Sequence, residues 1–238
     1  MSAHGLHFVD IATGKETLLL VQLDIQSLEY SPCDNFVVCC EKYSVQNPQP
    51  NLFVICTKTG KTFAKFEWRK NPKEAMKSIR FSIDEKFCFR LAPGLSAKDV
   101  NSIEVYRDND FTKPTCVIWS RFPVKALKKG LPATFVDGRF DGFDLCPLNP
   151  ANPEKSPFYL FAWQHAAQMS IDDHDNGTVY VFDVNGSVDK SKFMISCARG
   201  QEISTKIPST GHAALIWSQN HNDTSGKSYY GEHSLQYV

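Results

Sequence analysis

The chain has 238 residues with 26 Lys plus Arg against 26 Asp plus Glu, so its formal net charge is zero. Neutrality excludes a histone-like or acidic-tail protein while leaving room for local basic patches; 42% apolar and 22% charged residues exclude a disordered chain. At roughly 150 residues per domain the length allows one large domain or two small ones, and the longest apolar runs, residues 18–21 and 36–40, are far too short to span a membrane. With no basic start followed by an apolar stretch in residues 1–10, a soluble, cytoplasmic protein is expected.

In chain order almost every segment reads as a short strand bounded by turn residues. Residues 9–21 form a first hairpin around Ala12-Thr13-Gly14-Lys15. The string Leu28-Glu29-Tyr30-Ser31-Pro32-Cys33-Asp34-Asn35-Phe36 then gives an alternating strand, a polar turn and a second strand. Residues 52–66 form another hairpin around Thr57-Lys58-Thr59-Gly60. The strand-turn-strand string returns as Ile79-Arg80-Phe81-Ser82-Ile83-Asp84-Glu85-Lys86-Phe87, and a hairpin follows over residues 103–119 around Arg107-Asp108-Asn109-Asp110. A weaker copy starts at Phe143, ahead of a hairpin over residues 179–197 around Asp183-Val184-Asn185-Gly186, and a last copy starts at Leu215. Residues 121–139 and 149–157 read as loops, the second because Pro150, Pro153 and Pro157 keep it out of regular pairing.

Four hairpins of one type alternate with a second element, and the anchors Leu28, Ile79, Phe143 and Leu215 lie 51, 64 and 72 residues apart. Each period holds about four strands, the content of a β-propeller blade; a β-sandwich would also show many short strands, but the alternation of two hairpin types at these periods favours the propeller. Low helix content is expected, since long 3.6-residue periodicity with caps is missing. The spacing predicts an all-β, WD-repeat-like propeller of about four blades in an incomplete ring, although no Trp-Asp dipeptide marks a repeat. The blades are expected at residues 22–70, 71–120, 140–198 and 210–238, the last incomplete. Open terminal edges predict a chain that is marginally stable or self-associating.

Cys39, Cys40, Cys56, Cys88, Cys116, Cys146 and Cys197 each sit in or beside an apolar run, as buried free thiols do. No C-x-x-C pair, Gly-rich phosphate loop, G-x-S-x-G elbow or H-E-x-x-H helix occurs. His165, Asp172, Asp173, His174 and Asp175 are the densest set of potential ligands, and they read as a solvated hairpin tip. The expectation is a protein without enzymatic activity, metal or cofactor. Basic residues are more suggestive. Arg69, Lys70, Lys73 and Lys77 follow one strand, and Arg121, Lys125, Lys128 and Lys129 fall within one ten-residue loop without Asp or Glu. Both groups read as loops projecting from the propeller, and two readings stay open: contact with phosphate groups, or plain solvated charge. The spacing of Lys125, Lys128 and Lys129 allows one helical turn to present all three.

The C-terminal string Asp223-Thr224-Ser225-Gly226-Lys227-Ser228-Tyr229-Tyr230-Gly231-Glu232-His233-Ser234-Leu235-Gln236-Tyr237 resembles the D-x-T-G-x-S-Y-Y-G-E-x-x-L-x-Y segment of the eukaryotic translation initiation factor 2A family. Upstream features agree in order: Leu28-Glu29-Tyr30-Ser31-Pro32, Pro50-Asn51-Leu52, Ser82 with Asp84-Glu85, and Leu215-Ile216-Trp217. The resemblance implies a propeller that binds the small ribosomal subunit and assists delivery of initiator methionyl-tRNA. Contacts with initiator tRNA or mRNA, and with other proteins over the propeller surface, go with that reading. This chain departs from the family pattern in starting inside an early blade, stopping at residues 235–238 and lacking the lysine-rich tail. Ser228, Tyr229, Tyr230, Gly231 and Glu232 carry the specific match. Neighbouring Tyr229 and Tyr230 are expected on opposite faces of a strand, and Gly231 at a bulge or close backbone approach. The alternative is a propeller scaffold that docks proteins on its rim or top face.

Overall fold

A computed structural model describes residues 5–21, 24–92, 101–119, 133–135, 140–146, 158–166, 176–184, 191–198, 200–208, 211, 213–221 and 231–238. The strands are β1 (Gly5–Val9), β2 (Glu16–Val21), β3 (Ile25–Tyr30), β4 (Phe36–Glu41), β5 (Leu52–Cys56), β6 (Thr62–Phe66), β7 (Ile79–Phe81), β8 (Phe87–Ala92) and β9 (Ser102–Arg107). There follow β10 (Cys116–Trp119), β11 (Ala133–Phe135), β12 (Gly142–Cys146), β13 (Phe158–Gln164), β14 (Gly177–Val184), β15 (Ser191–Cys197), β16 (Glu202–Lys206), β17 (Leu215–Asn220) and β18 (Glu232–Tyr237). Among the described residues they make five sheets, ordered β1-β2, β3-β4-β5-β6, β11-β10-β9-β8-β7, β12-β13-β14-β15 and β16-β17-β18. Sequential neighbours pair antiparallel in β3–β6 and β12–β15, which is the blade unit of a propeller. Among the described residues helix is confined to α1 (Pro72–Ala75) and a 3-10 turn at Met76–Ser78.

Two compact units emerge, Met1–Arg90 with Val105–Pro114, and Leu91–Glu104 with Thr115–Val238. In the first, β4 and β5 are apolar on both faces, as strands covered on both sides must be. Val37, Cys39, Phe53 and Ile55 pack with Leu6, Phe8 and Ile25. The opposite face, Phe36, Val38, Cys40, Leu52 and Val54, packs with Trp68, Ile79, Cys88, Tyr106 and Phe111. In the second unit Cys146, Phe161, Val179, Val181 and Cys197 form one core with Ile203, Ala214 and Ile216.

The recurring strand-turn-strand string has a shared geometry. Ser31 N–H donates to the Phe36 carbonyl (3.0 Å), the Phe36 N–H donates to Ser31 Oγ (2.9 Å), and Asp34 N–H donates to Ser31 O (3.0 Å). In the second copy Ser82 N–H donates to Phe87 O (2.9 Å), Phe87 N–H to Ser82 Oγ (3.0 Å), and Glu85 N–H to Ser82 O (2.9 Å). Asp34 and Glu85 both take a left-handed conformation, with φ of 58° and 56°. The copies are also joined. Buried Glu85 accepts from the Cys33 N–H (2.6 Å) and from Asn35 Nδ2 (2.8 Å), clasping one turn to the other. Glu85→Ala strands two donors, so we expect a loss of about 2 kcal/mol in urea unfolding, with Glu85→Gln recovering part of it.

Four expectations need correction. The hairpins are not of one type. Gly14 and Gly60, at φ 67° and 68°, close equivalent turns in which the glycine N–H bonds back to Asp10 O and Cys56 O. By contrast Asp108 and Asn109, at φ 53° and 60°, make a two-residue turn bridged by Arg107 and Asp110. Leu215 does not open its sheet: β17 is the central strand and β16 precedes it. Within the expected loop over residues 121–139, Ala133–Phe135 pairs parallel with Val117–Trp119. The basic stretch after β6 contains α1.

Candidate nucleic-acid interface

Register places three chain positions at one end of the β3–β6 sheet. Cys40 faces Leu52, which faces Phe66, so the loop after β4 and the segment after β6 emerge side by side. Buried Asn51 fastens them. Its Nδ2 donates to Glu41 O (2.8 Å) and Trp68 O (2.9 Å), and its Oδ1 accepts from Trp68 N–H (2.8 Å). One amide thus satisfies both backbone groups of Trp68. The device recurs in the second unit, where buried Asn101 donates to Phe140 O and accepts from Phe140 N–H.

Beyond Trp68 the chain is equally fixed. The Trp68 indole donates to Asn71 O (2.9 Å), and Asn71 caps α1 by accepting from Lys73 N–H (3.0 Å), with Pro72 in the first turn. Ser27 Oγ donates to Pro72 O (2.7 Å) and Ser78 Oγ to Ala75 O (2.7 Å). On this frame Lys42, Arg69, Lys70, Lys73 and Lys77 all reach solvent. Glu67 is bonded to Arg69, and burial pushes the Glu41 carboxyl above its usual range. Of the acidic groups in these two segments, exposed Glu74 stands among the lysines. Arg69 also lies over the Tyr43 ring, 5.5 Å from its centroid. Cations on a preorganised backbone beside an aromatic ring suit phosphate contact with stacking.

The other sequence-predicted groups divide. Arg121, Lys125, Lys128 and Lys129 lie outside the described residues, as do Ser228, Tyr229 and Tyr230. Gly231 is buried at φ 78°, and a Cβ there would sit 2.0 Å from the Asn220 carbonyl oxygen, the close approach expected of it. Glu232 is exposed and opens β18 opposite Asn220. Asp172, Asp173, His174 and Asp175 are also outside; among the described residues no group of three or more His, Cys, Asp or Glu is placed to hold a metal. The backbone N–H of His165 donates to the Asp141 carboxylate (2.7 Å). A cavity of about 280 Å³ beside β3 and β7 is lined mainly by apolar groups including Tyr30, Met76 and Phe81, with Glu29 and Arg80 3.7 Å apart on its wall.

All eight cysteines are free thiols. Burial pushes Cys39 and Cys40 up to about 12 and Cys146 to about 11. Exposed Cys33 is also raised, by desolvation first and then by Glu85, Asp84 and Asp34. Cys56 moves the other way: desolvation pulls it up, but hydrogen bonds from Thr59 and Lys58 together outweigh it. Cys56 therefore holds more thiolate at a given pH and Cys33 is open to solvent, so at pH 7.5 maleimide should label these two ahead of the buried six. Peptide mapping of the native chain reads this; early labelling of Cys39 or Cys40 would contradict it.

No protein-family model matches the chain, and no curated protein matches it in sequence. Solved structures do. A crystal structure of a eukaryotic initiation factor superposes with a TM-score of 0.67 at 14% identity, covering 100% of this chain and 48% of that one. An acylaminoacyl peptidase of Pyrococcus horikoshii superposes at 0.50 with 11% identity, covering 90% of this chain and 30% of that one. TolB of Acinetobacter baumannii superposes at 0.41 with 13% identity, covering 97% of this chain and 45% of that one. The chain therefore spans about half the length of the initiation factor it matches. Among the described residues no helix is long and apolar enough to cross a membrane. With the sheet order above, the likeness to the initiation factor fixes the fold as an all-β propeller.

Proposed function

We propose that the chain is a non-enzymatic module of a translation initiation factor, which binds the small ribosomal subunit and assists initiator methionyl-tRNA delivery. The observation that carries this reading is the superposition of the whole chain on the eukaryotic initiation factor at a TM-score of 0.67. The Ser228-Tyr229-Tyr230-Gly231-Glu232 string, which rests on residue identity alone, points the same way. The basic face of the first unit supplies a physical means. Lys42, Lys70, Lys73 and Lys77 stand on a hydrogen-bonded frame, so little ordering is needed when phosphates arrive. A neutral chain gains affinity from such a patch locally, whatever its overall charge.

A scaffold that docks proteins is the second reading, favoured by the zero net charge and by the apolar side chains that β18 exposes. Sedimentation of the chain with purified small ribosomal subunits through a sucrose cushion separates the two. Co-sedimentation that disappears in excess competing ribosomal RNA supports the translation reading, and a chain left entirely at the top of the gradient supports the scaffold.

A further inference from the structure

We propose that the outward face of the β16–β18 sheet joins two copies of this chain in a two-fold dimer. Register assigns the side chains of this face row by row. Lys206, Leu215 and Tyr237 form one row, Ser204, Trp217 and Leu235 the next, and Glu202, Gln219 and His233 the third. The alternate residues Ile203, Thr205, Ile216 and Ser218 are buried, with Ile203 and Ile216 in the core of the second unit. The outward rows remain in solvent: Leu215 is 40% exposed, Leu235 65% and Tyr237 77%. His233 stacks on Trp217 with ring centroids 5.7 Å apart, which holds the central aromatic in place. A contiguous group of Leu, Trp, Leu and Tyr on one sheet face is the kind of surface that packs against another surface.

The distribution of charge selects a second copy as the occupant. Glu202 and Lys206 stand at opposite ends of β16, about 13 Å apart at strand spacing. A two-fold axis lying along the central row reverses every strand. It lays Trp217 and Leu235 on their own counterparts and sets Glu202 against Lys206 of the partner subunit, twice per dimer. The same rotation brings Tyr237 to His233 of the partner subunit. Within one chain Glu202 is 3.2 Å from His221 at the sheet margin, with both side chains at least half exposed, so the carboxylate is held at the rim and stays accessible. Sheets pack at about 10 Å with strands within about 30° of alignment, which this rotation permits.

Sedimentation equilibrium of the full chain, with charge-swapped variants, tests the inference. The wild type should show a concentration-dependent dimer. Glu202→Lys or Lys206→Glu alone places like charges together twice and should weaken association tenfold or more. Glu202→Lys combined with Lys206→Glu should restore it, and an equimolar mixture of the two single variants should form a mixed dimer. Leu235→Glu should give a monomer with an unchanged far-ultraviolet circular dichroism spectrum, since the side chain is exposed. A wild-type monomer at every concentration overturns the inference and leaves the face to a further sheet or another protein. So does a dimer that ignores the charge swaps.

Discussion

Gly231→Ala should cost about 4 kcal/mol of stability, joining about 1–2 kcal/mol for left-handed backbone with about 1–3 kcal/mol for overpacking. Both effects come from the same residue. Its φ is 78°, and a Cβ would meet the Asn220 carbonyl oxygen at 2.0 Å and the Asn220 and His221 carbonyl carbons at 3.1 Å. The obstacle is backbone at the end of the β17–β18 ladder, where Asn220 pairs with Glu232, so relief requires breaking that pairing. Adjacent Glu232→Ala, on an exposed side chain, should stay within about 0.5 kcal/mol. Urea unfolding followed by tryptophan fluorescence compares the two, and a Gly231→Ala midpoint equal to wild type would show that no such close approach operates.

The second large effect is expected at Asn51. Asn51→Ala removes the partner of the Trp68 N–H and carbonyl and one donor to the Glu41 carbonyl, which keeps the Cys40 thiol, all beside the core of the first unit. Buried groups left without partners cost about 1–3 kcal/mol each, and shared relaxation brings the sum to about 3 kcal/mol. Asn51→Asp should do no better. It still accepts from Trp68 N–H, but sets a carboxylate against two carbonyl oxygens. Hydrogen exchange gives a local reading: the Trp68 amide should exchange about a hundredfold faster in Asn51→Ala, whereas exposed Asn47→Ala leaves it unchanged. Wild-type protection at Trp68 in Asn51→Ala would show that the amide does not fasten this corner.

These two residues also show where sequence reading succeeds and where it stops. The strand-turn-strand copies are readable because their chemistry is local: Ser31 and Ser82 close their turns through partners five residues on. Gly231 is readable because a glycine beside a strand points to close approach. Asn51 and Asn101 are not, although both stand directly before a strand, because their bonds reach residues 17 and 39 positions away. The Glu85 clasp is hidden for the same reason, spanning 50 and 52 positions. Strand β16 escapes because its exposed alternates are Glu202, Ser204 and Lys206, which leave no apolar run to notice. A four-residue helix such as α1 is shorter than any periodic signal. As for the interface, sequence proximity gathers Arg69, Lys70, Lys73 and Lys77, but only strand register adds Lys42 and Tyr43.

Contact between that basic face and RNA phosphates is the central claim, and the salt dependence of small-subunit binding tests it most directly. The logarithm of the chain's affinity should fall linearly with log salt, because each phosphate contact releases counterions. Replacing Lys42, Lys70, Lys73 and Lys77 together with Glu should weaken binding at least tenfold and flatten the slope by about three, at about 0.7–0.9 for each phosphate no longer neutralised. All four side chains are exposed, so circular dichroism should confirm an intact fold. An unchanged slope and affinity in the quadruple variant would contradict the claim and move the RNA contact off this face.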